Sequence, residues 1–283
     1  MNEFYYPNFN HKVTFLGGQS FSWDLIDTRN NTYLGFTDDR VMKIKVLHDR
    51  ILWQTYPEKD DVSFIKRYFK CNQKYDDIIN IISKDKYVSE AITQTPNIRI
   101  LQQPFDFTVL TFILSANNNI VSIRRSVRKL AQMFGRPVDV PGVGIVHRFP
   151  QPEVIQDIEE EDLRKSGVGF RAKYIKKTAE GLYRTGLCQR MSSMGEDELR
   201  DSLVNFYGVG DKIADCVLVF AAGFDNVTPI DVWTKRMLID LYGLPENWKY
   251  GQYRSWTKDK FNGYAAYAGQ FLFEWYRNLK FLD

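Results

Sequence analysis

A lysine that follows two closely spaced glycines is the residue whose type and position most directly indicate chemistry. Lys212 ends the run Gly208-Val209-Gly210-Asp211-Lys212, where a turn leads into a new helix. Glycines reach backbone conformations closed to other residues, and they leave the amide N–H groups of the next helix uncovered at its positive end. Such a turn binds phosphate without reading a base sequence. Gly208 and Gly210 are therefore predicted phosphate contacts.

Lys212 has two candidate roles, a phosphate contact or a nucleophile. An ordinary lysine has a pKa near ~10.4, so about one amine in 2,500 is uncharged at pH 7. A nucleophile therefore needs burial, the positive helix end or a nearby base. Asp231, in Thr228-Pro229-Ile230-Asp231, is the candidate carboxylate partner. It is equally read as a first-turn acid, because Thr228-Pro229 is typical of a helix start and the Thr-x-x-Asp spacing resembles a capping box.

The elements that must position these residues fall into two parts. The N-terminal part has alternating, strand-like segments at residues 33–37, 41–46 and 51–56, followed by helical spacing at 62–69 and 75–82. From residue 105 onward the pattern is helical except for a predicted loop at 135–152. The later helices are predicted at about 153–165, 170–185, 196–206, 211–224, 229–242 and 258–277. The helix pair around Gly208 and Gly210 matches the helix-hairpin-helix pattern of duplex DNA binders, although a plain helical hairpin has the same glycine turn.

These patterns predict an α+β fold. A small N-terminal antiparallel β-sheet domain with short helices, residues 1–100, packs on a mainly α-helical domain, residues 101–283. The helical domain contains the helix-hairpin-helix motif at about residues 196–224. We expect a monomer.

Composition excludes several classes of protein. The 283 residues are 44% hydrophobic and 15% aromatic, which argues against disorder, and no apolar run approaches the ~20 residues of a membrane span. Three separated cysteines and three unpaired histidines match neither a disulfide framework nor a metal motif. We therefore expect no metal, no cofactor, no membrane and a reducing intracellular location. Residues 121–190 carry 14 basic and eight acidic side chains, which indicates an anionic partner or a solvated basic surface.

The hairpin with Lys212 and the later Asp231 resembles the helix-hairpin-helix DNA glycosylases with associated lyase activity. Five further blocks, in order, resemble the 8-oxoguanine glycosylases of that superfamily. They are Gly18-Gln-Ser-Phe-Ser-Trp23, Arg99-Ile-Leu-Gln-Gln-Pro104, Ser115-Ala-Asn-Asn-Asn-Ile120, Gly169-Phe-Arg-Ala-Lys-Tyr174 and the stretch from Tyr264 to Phe273. The resemblance spans residues 18 to 273, and the ordered set is more specific than any single block.

The resemblance implies base-excision repair of duplex DNA containing 8-oxoguanine. The lysine would attack the sugar C1′ and expel the flipped base, and the Schiff base would allow strand cleavage by β-elimination. Lys212 would be the nucleophile, and Asp231 would assist the amine and stabilise the cationic sugar. The alternatives are a glycosylase for another damaged base and a noncatalytic duplex-binding module.

The resemblance also implies which residues hold the base. Cys216, one helical turn after Lys212, would pack on one face of 8-oxoguanine and Phe273 on the other. Gly18 would accept a hydrogen bond from the N7–H that guanine lacks. Without the resemblance, Cys216 is also read as a small buried hydrophobic residue.

The resemblance also implies a second group of residues, which contact the duplex from which the base has been flipped out. Asn117 and Arg171 would contact the orphaned cytosine, and Phe170 would insert into the base stack. On the residues alone, Asn117 belongs to a candidate helix-capping turn, Phe170 to a core and Arg171 to a phosphate contact.

Three positions depart from the family pattern. Gly269 stands where the family has a glutamine that reads the Watson–Crick edge. Either the helix register shifts, or the neighbouring Gln270 or another residue reads that edge, or the edge is read less strictly, and Gln270 is the candidate reader. Ser122 stands where members strict for cytosine have arginine, which predicts relaxed opposite-base selectivity. Trp233 occupies a position that is histidine in some relatives. The phosphate contact of that histidine is either lost or replaced by the indole N–H, and we list Trp233 as a candidate DNA contact.

Overall fold

The N-terminal part of the molecule is a five-stranded antiparallel sheet. The computed structural model describes residues 1–57 and 61–280. The strand order is β1-β5-β4-β3-β2. The strands are β1 (Asn2–Tyr5), β2 (Trp23–Asp27), β3 (Thr32–Phe36), β4 (Val41–Val46) and β5 (Arg50–Tyr56). The predicted meander is confirmed, whereas β1 and β2 carry too little alternation to have been predicted.

One face of the sheet packs against short helices through an aromatic core. These helices are α1 (His11–Leu16) and α2 (Val62–Tyr68). The next two helices, α3 (Tyr75–Ile82) and α4 (Lys86–Gln94), belong to the core of the helical part, where they contact the C-terminal helix over Ala265–Lys280. Phe15 of α1 stacks on Trp23 with ring centroids 4.2 Å apart, and the Trp23 indole donates to the Tyr68 hydroxyl at 2.9 Å. This core holds the segment after α1, which contains Gly17 and Gly18, against the helical part.

The remainder of the chain is mainly helical, which confirms the α+β class. The central helix is α5 (Phe105–Ile113), and all of its residues except Asp106 are buried. The other helices are α6 (Ile120–Phe134), α7 (Pro152–Ile155), α8 (Glu160–Leu163), α9 (Arg171–Thr185), α10 (Leu187–Arg190), α11 (Glu196–Val204), α12 (Asp211–Val217), α13 (Val232–Tyr242), α14 (Tyr250–Lys260) and α15 (Ala265–Lys280). Among the described residues no helix is both long and apolar enough to cross a membrane.

Several predicted boundaries were wrong. The predicted loop at 135–152 contains a β-hairpin, β6 (Pro137–Val140) with β7 (Gly144–His147). The predicted helix at 258–277 is two helices, because the chain turns between α14 and α15. The predicted helix at 153–165 is likewise divided into α7 and α8, and a π-helical turn over Arg164–Val168 follows. Short proline- and glycine-containing segments gave no periodic signal for these breaks.

Side-chain bonds from one glutamine join the sheet domain to the helices. Gln19 donates to the Arg99 carbonyl at 2.8 Å and accepts from the Leu101 amide at 2.8 Å. The Gln103 side chain donates to the Gln19 carbonyl at 2.6 Å, and the Gln103 amide donates to the Phe220 carbonyl at 2.6 Å. These bonds fix the loop of Gly17 and Gly18 beside the helix that carries Lys212. The domain boundary at residue 100 stays a prediction.

Candidate active site

Most of the predicted site residues line one cavity of about 1180 Å³. This volume exceeds the ~300–1,000 Å³ typical of small-molecule sites. The cavity is lined by ten of the twelve predicted residues, namely Gly18, Asn117, Gly208, Gly210, Lys212, Cys216, Asp231, Trp233, Gln270 and Phe273. Phe170 and Arg171 lie outside this lining. We call the side formed by Gly208, Gly210, Lys212, Cys216 and Asp231 the hairpin wall. The part of the lining formed by Gly269, Gln270, Phe273 and Arg277 of α15 is the C-terminal wall.

The Lys212 amine faces the cavity and donates to the Ser115 hydroxyl oxygen at 2.9 Å. Ser115 donates in turn to the Phe112 carbonyl at 2.6 Å, so its oxygen is oriented to accept from the amine. The amine also lies 5.4 Å from the centre of the Phe112 ring. Sequence reasoning missed both partners. Ser115 opened one of the family-like blocks, which was the available signal for it.

The hairpin turn depends on one of its two glycines. Gly208 has φ +90°, and a Cβ there would lie 2.7 Å from the Tyr174 side chain. Gly210 has φ −97° and precedes α12 in extended conformation, which any residue adopts. The expectation that both glycines need special backbone conformations was therefore wrong for Gly210. The turn is also held by Thr178, whose hydroxyl donates to the Tyr207 carbonyl at 2.8 Å.

Asp231 caps α13. Its carboxylate accepts from the Thr234 amide at 2.7 Å, and α13 begins at Val232. The predicted start at Thr228-Pro229 was therefore too early, and Asp231 is the N-cap residue rather than a first-turn acid. The Thr228 hydroxyl instead donates to the Ala265 carbonyl at 2.6 Å, which ties this segment to α15.

Cys216 is buried one turn after Lys212 and lines the cavity. Burial raises the pKa of its thiol to about 12, although the nearby Lys212 charge acts in the opposite direction. The thiol is therefore neutral at physiological pH, because a desolvated anion is unfavourable. Cys216 provides a small apolar surface in the hairpin wall.

The C-terminal wall explains the departure at residue 269. A Cβ on Gly269 would lie 2.7 Å from the Thr228 methyl group, so α15 packs too closely there for a glutamine. Gln270 and Phe273 both line the cavity. Arg277, which the sequence did not single out, forms an ion pair with Glu274 at 2.6 Å. Its guanidinium lies 5.5 Å from the Phe273 ring centre.

Arg171 is buried beneath the loop that carries Asn117. Its guanidinium donates to the Ala116 carbonyl at 2.8 Å and to the Asn117 carbonyl at 2.9 Å. Burial lowers the pKa of this arginine. In the structure its donors thus hold the loop in place, and a contact with a cytosine edge stays a prediction. Phe170, the residue before it, is 49% exposed, which is compatible with insertion into a base stack and not with a core position.

The sequence gives two interpretations of the asparagines at 117–119, a helix-capping turn and a contact with the orphaned cytosine. Each interpretation concerns a different residue. Asn119 caps α6 by accepting from the Ser122 amide at 2.9 Å. Asn117 has φ +48° and lines the cavity. The capping turn and the cavity residue are therefore neighbours in the same loop. Trp233 also lines the cavity, and the Arg236 guanidinium lies 5.6 Å from its ring centre.

Within residues 1–57 and 61–280, the His, Cys, Asp and Glu side chains form no group of three or more that could hold a metal ion. The residues that line the cavity include Lys212 with an amine, Asp231 with a carboxylate and Cys216 with a neutral thiol. Such an arrangement suits attack by the amine on an electrophilic carbon, with the carboxylate stabilising positive charge.

Comparison with known families agrees with this geometry. Residues 3–106 match the 8-oxoguanine DNA glycosylase N-terminal domain, and residues 110–261 match the HhH-GPD superfamily of base excision DNA repair proteins. The second match alone covers more than half of the chain. The chain belongs to the HhH-GPD superfamily. The predicted resemblance is thereby confirmed.

Individual HhH-GPD relatives extend the match over nearly the whole chain. A probable N-glycosylase/DNA lyase of Methanothermobacter thermautotrophicus is 27% identical over 221 residues, which are 71% of this chain and 70% of the relative. The structure of MBOgg1 in complex with a low-affinity DNA ligand has a TM-score of 0.89 and 31% identity, over 99% of this chain and 100% of that one. The Clostridium acetobutylicum 8-oxoguanine glycosylase/lyase, solved with dsDNA containing cytosine opposite 8-oxoG, has a TM-score of 0.86 and 28% identity, over 97% and 93%.

Proposed function

We propose that this chain is a base-excision repair enzyme that removes 8-oxoguanine from duplex DNA and then nicks the abasic strand. The observation that carries the proposal is the Lys212 amine, which faces a cavity shared with Asp231. The proposal is supported by the two family matches and by structural relatives that are 8-oxoguanine glycosylase/lyases.

In the proposed reaction, the nitrogen of Lys212 forms a bond to the sugar C1′ as the bond from C1′ to the base breaks. The electron pair of that bond leaves with the base. The bond from C1′ to O4′ then opens, and the two protons of the uncharged amine pass to the departing base and to O4′, which leaves a C1′=N Schiff base. Asp231 stabilises the positive charge that develops on the sugar. Loss of a proton from C2′ of the Schiff base then breaks the bond from C3′ to oxygen, so the 3′ phosphate leaves and the strand is cleaved.

The remaining cavity residues would recognise the base. Cys216 and Phe273 would contact its two faces, and Gln270 would read the Watson–Crick edge. The Gly18 carbonyl would accept from the N7–H of 8-oxoguanine. Guanine has an acceptor at N7 and would leave that carbonyl unpaired, at a cost of roughly 1–3 kcal/mol.

The DNA outside the cavity would meet a second set of residues. Phe170 would fill the space left by the flipped base, with Asn117 and Arg171 on the orphaned base. Gly208, Gly210 and Trp233 would contact phosphates. Because Ser122 cannot supply a guanidinium, we expect relaxed discrimination among opposite bases.

A glycosylase for a different damaged base is the second candidate. The observation that favours it is Gly269, whose contact with Thr228 leaves no room for a glutamine. A duplex-binding module without enzymatic activity is the third candidate. Such a module would have no need of an amine and a carboxylate on one cavity.

Borohydride trapping across a panel of duplexes separates these candidates. Each duplex carries one damaged base opposite each of the four normal bases in turn. We expect a covalent adduct with 8-oxoguanine DNA at the highest rate, and rates that differ little among opposite bases. A faster adduct with another lesion would support the second candidate. Duplex binding with no adduct on any lesion would support the noncatalytic alternative.

A further inference from the structure

A buried carboxylate lies directly behind the hairpin wall. Asp215, three residues after Lys212, is 0% exposed. The Nε atoms of Arg200 and Arg254 each lie 3.1 Å from its Oδ1. The Tyr250 hydroxyl donates to its Oδ2 at 2.7 Å. An unpaired buried charge would be costly, and these three partners offset that cost.

The Tyr250 hydroxyl has a second bond that reaches the Asp231 segment. It accepts from the Ile230 amide at 3.2 Å. Ile230 directly precedes Asp231, and Asp215 lies on the same helix as Lys212. One phenolic oxygen therefore joins the Asp215 side chain, on the helix of Lys212, to the backbone directly before Asp231.

The Tyr250 hydroxyl can both donate to Asp215 and accept from the Ile230 amide only while the phenol is neutral. Burial and the adjacent Asp215 charge raise the pKa of Tyr250 far above physiological pH. Burial also raises the pKa of Asp215, while Arg254, Tyr250 and Arg200 act in the opposite direction. The hydroxyl thus keeps its proton for Asp215 and its lone pair for the Ile230 amide.

We propose that Tyr250 is a positioning residue that sets the spacing of Lys212 and Asp231. Tyr250 is not among the residues that line the cavity, so it acts through the two segments that it joins. The inference rests on the proposed function. Small displacements of reacting groups have large effects on rate, up to about a hundredfold for ~1 Å.

The same helix provides a matched control. Tyr253 of α14 is buried, and its hydroxyl donates to the Pro245 carbonyl at 2.6 Å. Neither Tyr253 nor Pro245 lines the cavity. Tyr250→Phe and Tyr253→Phe each remove one hydroxyl and one buried hydrogen-bond donor. Titration of active sites restricts each measured rate constant to folded molecules.

In single-turnover base release from 8-oxoguanine duplex, Tyr250→Phe is expected to be about tenfold slower than wild type, with the Kd for DNA unchanged. Tyr253→Phe is expected to stay within about twofold for both quantities. Equal rate constants for the two variants would overturn the inference while leaving the proposed function intact. Absence of base release by the wild-type protein would instead overturn the proposed function.

A double variant distinguishes positioning from general loosening. If Tyr250 acts through Asp231 and Lys212, its removal should slow an Asp231→Asn protein by less than about twofold, because coupled residues are not additive. The same tenfold loss in both backgrounds would contradict the inference, because it would mark an effect independent of the amine and carboxylate pair.

Discussion

The two walls of the cavity hold their residues by different means. On the hairpin wall, the Lys212 amine bonds to Ser115 and Asp231 bonds to the Thr234 amide, with the Asp215 cluster behind them. On the C-terminal wall, the Thr228 hydroxyl ties the start of α15 through the Ala265 carbonyl, and the cavity-lining stretch is placed by close packing, with Gly269 against Thr228. Hydrogen bonds fix direction as well as distance, whereas packing fixes shape. The comparison suggests that the hairpin wall determines the rate and the C-terminal wall determines which base is accepted.

The largest effect should follow a change on the hairpin wall. Asp231→Asn keeps a side-chain oxygen for the Thr234 amide and removes the negative charge. Base release should slow roughly a hundredfold to a thousandfold, the size of losing one electrostatic contact to a transition state. The Kd for duplex DNA should change by less than about threefold. Single-turnover kinetics and a binding titration measure the two quantities, and full activity would leave Asp231 with the capping role alone.

Packing on the C-terminal wall is tested by Gly269→Ala. The added methyl group would lie 2.7 Å from the Thr228 methyl, so the free energy of unfolding should fall by about 1–3 kcal/mol. Gly251→Ala is the matched control, because Gly251 lies in α14 with no atom within 4 Å of an added Cβ. That change should stabilise the protein by about 0.5–1 kcal/mol. Denaturant unfolding compares them, and equal stability would refute the close contact.

A smaller effect is expected from Gln270, the residue proposed to read the base, on the same wall. Gln270→Ala should lower kcat/KM for 8-oxoguanine about five- to tenfold, through loss of one hydrogen bond to the base. The reductive trapping rate on DNA that already lacks the base should stay the same, since no base remains to be read. Equal losses on both substrates would show that Gln270 acts in the chemical steps rather than in base recognition. That result would contradict the division of roles between the two walls.

The smallest effect concerns Cys216, which lies on the hairpin wall and is expected to act by packing. A thiol with a raised pKa of about 12 is protonated below that pH, so it contributes no ionisation between pH 6 and 9. Cys216→Ala should slow base release about two- to fivefold at every pH in this range. The pH–rate profile should keep its shape, and loss of an ionisation from it would show that a thiolate takes part.

Much of the site could be predicted from sequence because its residues come in local motifs. The glycine turn, the lysine and the proline before Asp231 each have a signature within a few residues. Asp231 lines the same cavity as Lys212, but its assignment to the first turn was wrong, since Thr228 bonds to α15 rather than to its own helix. A contact between segments that are distant in sequence has no local signal.

The same limit applies to the fold. The strands β3 to β5 and helices with strong periodicity were predicted, whereas β6 and β7 were assigned to a loop. Ser115 and Arg277 were also missed as residues of the cavity, and Asp215 and Tyr250 were missed behind it. All four bond to partners far away along the chain, which leave no local signal. Arg171 shows the converse case, since its type suggested a ligand contact and its neighbours in the structure are backbone carbonyls.

The most direct test of Lys212 as the nucleophile is to locate the covalent bond between the protein and the sugar. Borohydride is added to wild-type protein during turnover of 8-oxoguanine duplex, so that the Schiff base is reduced to a stable adduct. The protein is then digested and analysed by peptide mass mapping. We expect the sugar remnant on Lys212 of the wild-type protein. We expect no adduct in the Lys212→Gln protein, although this variant should still bind duplex with the wild-type Kd. An adduct on any other residue, or trapping that persists in Lys212→Gln, would contradict the assignment of Lys212 as the nucleophile.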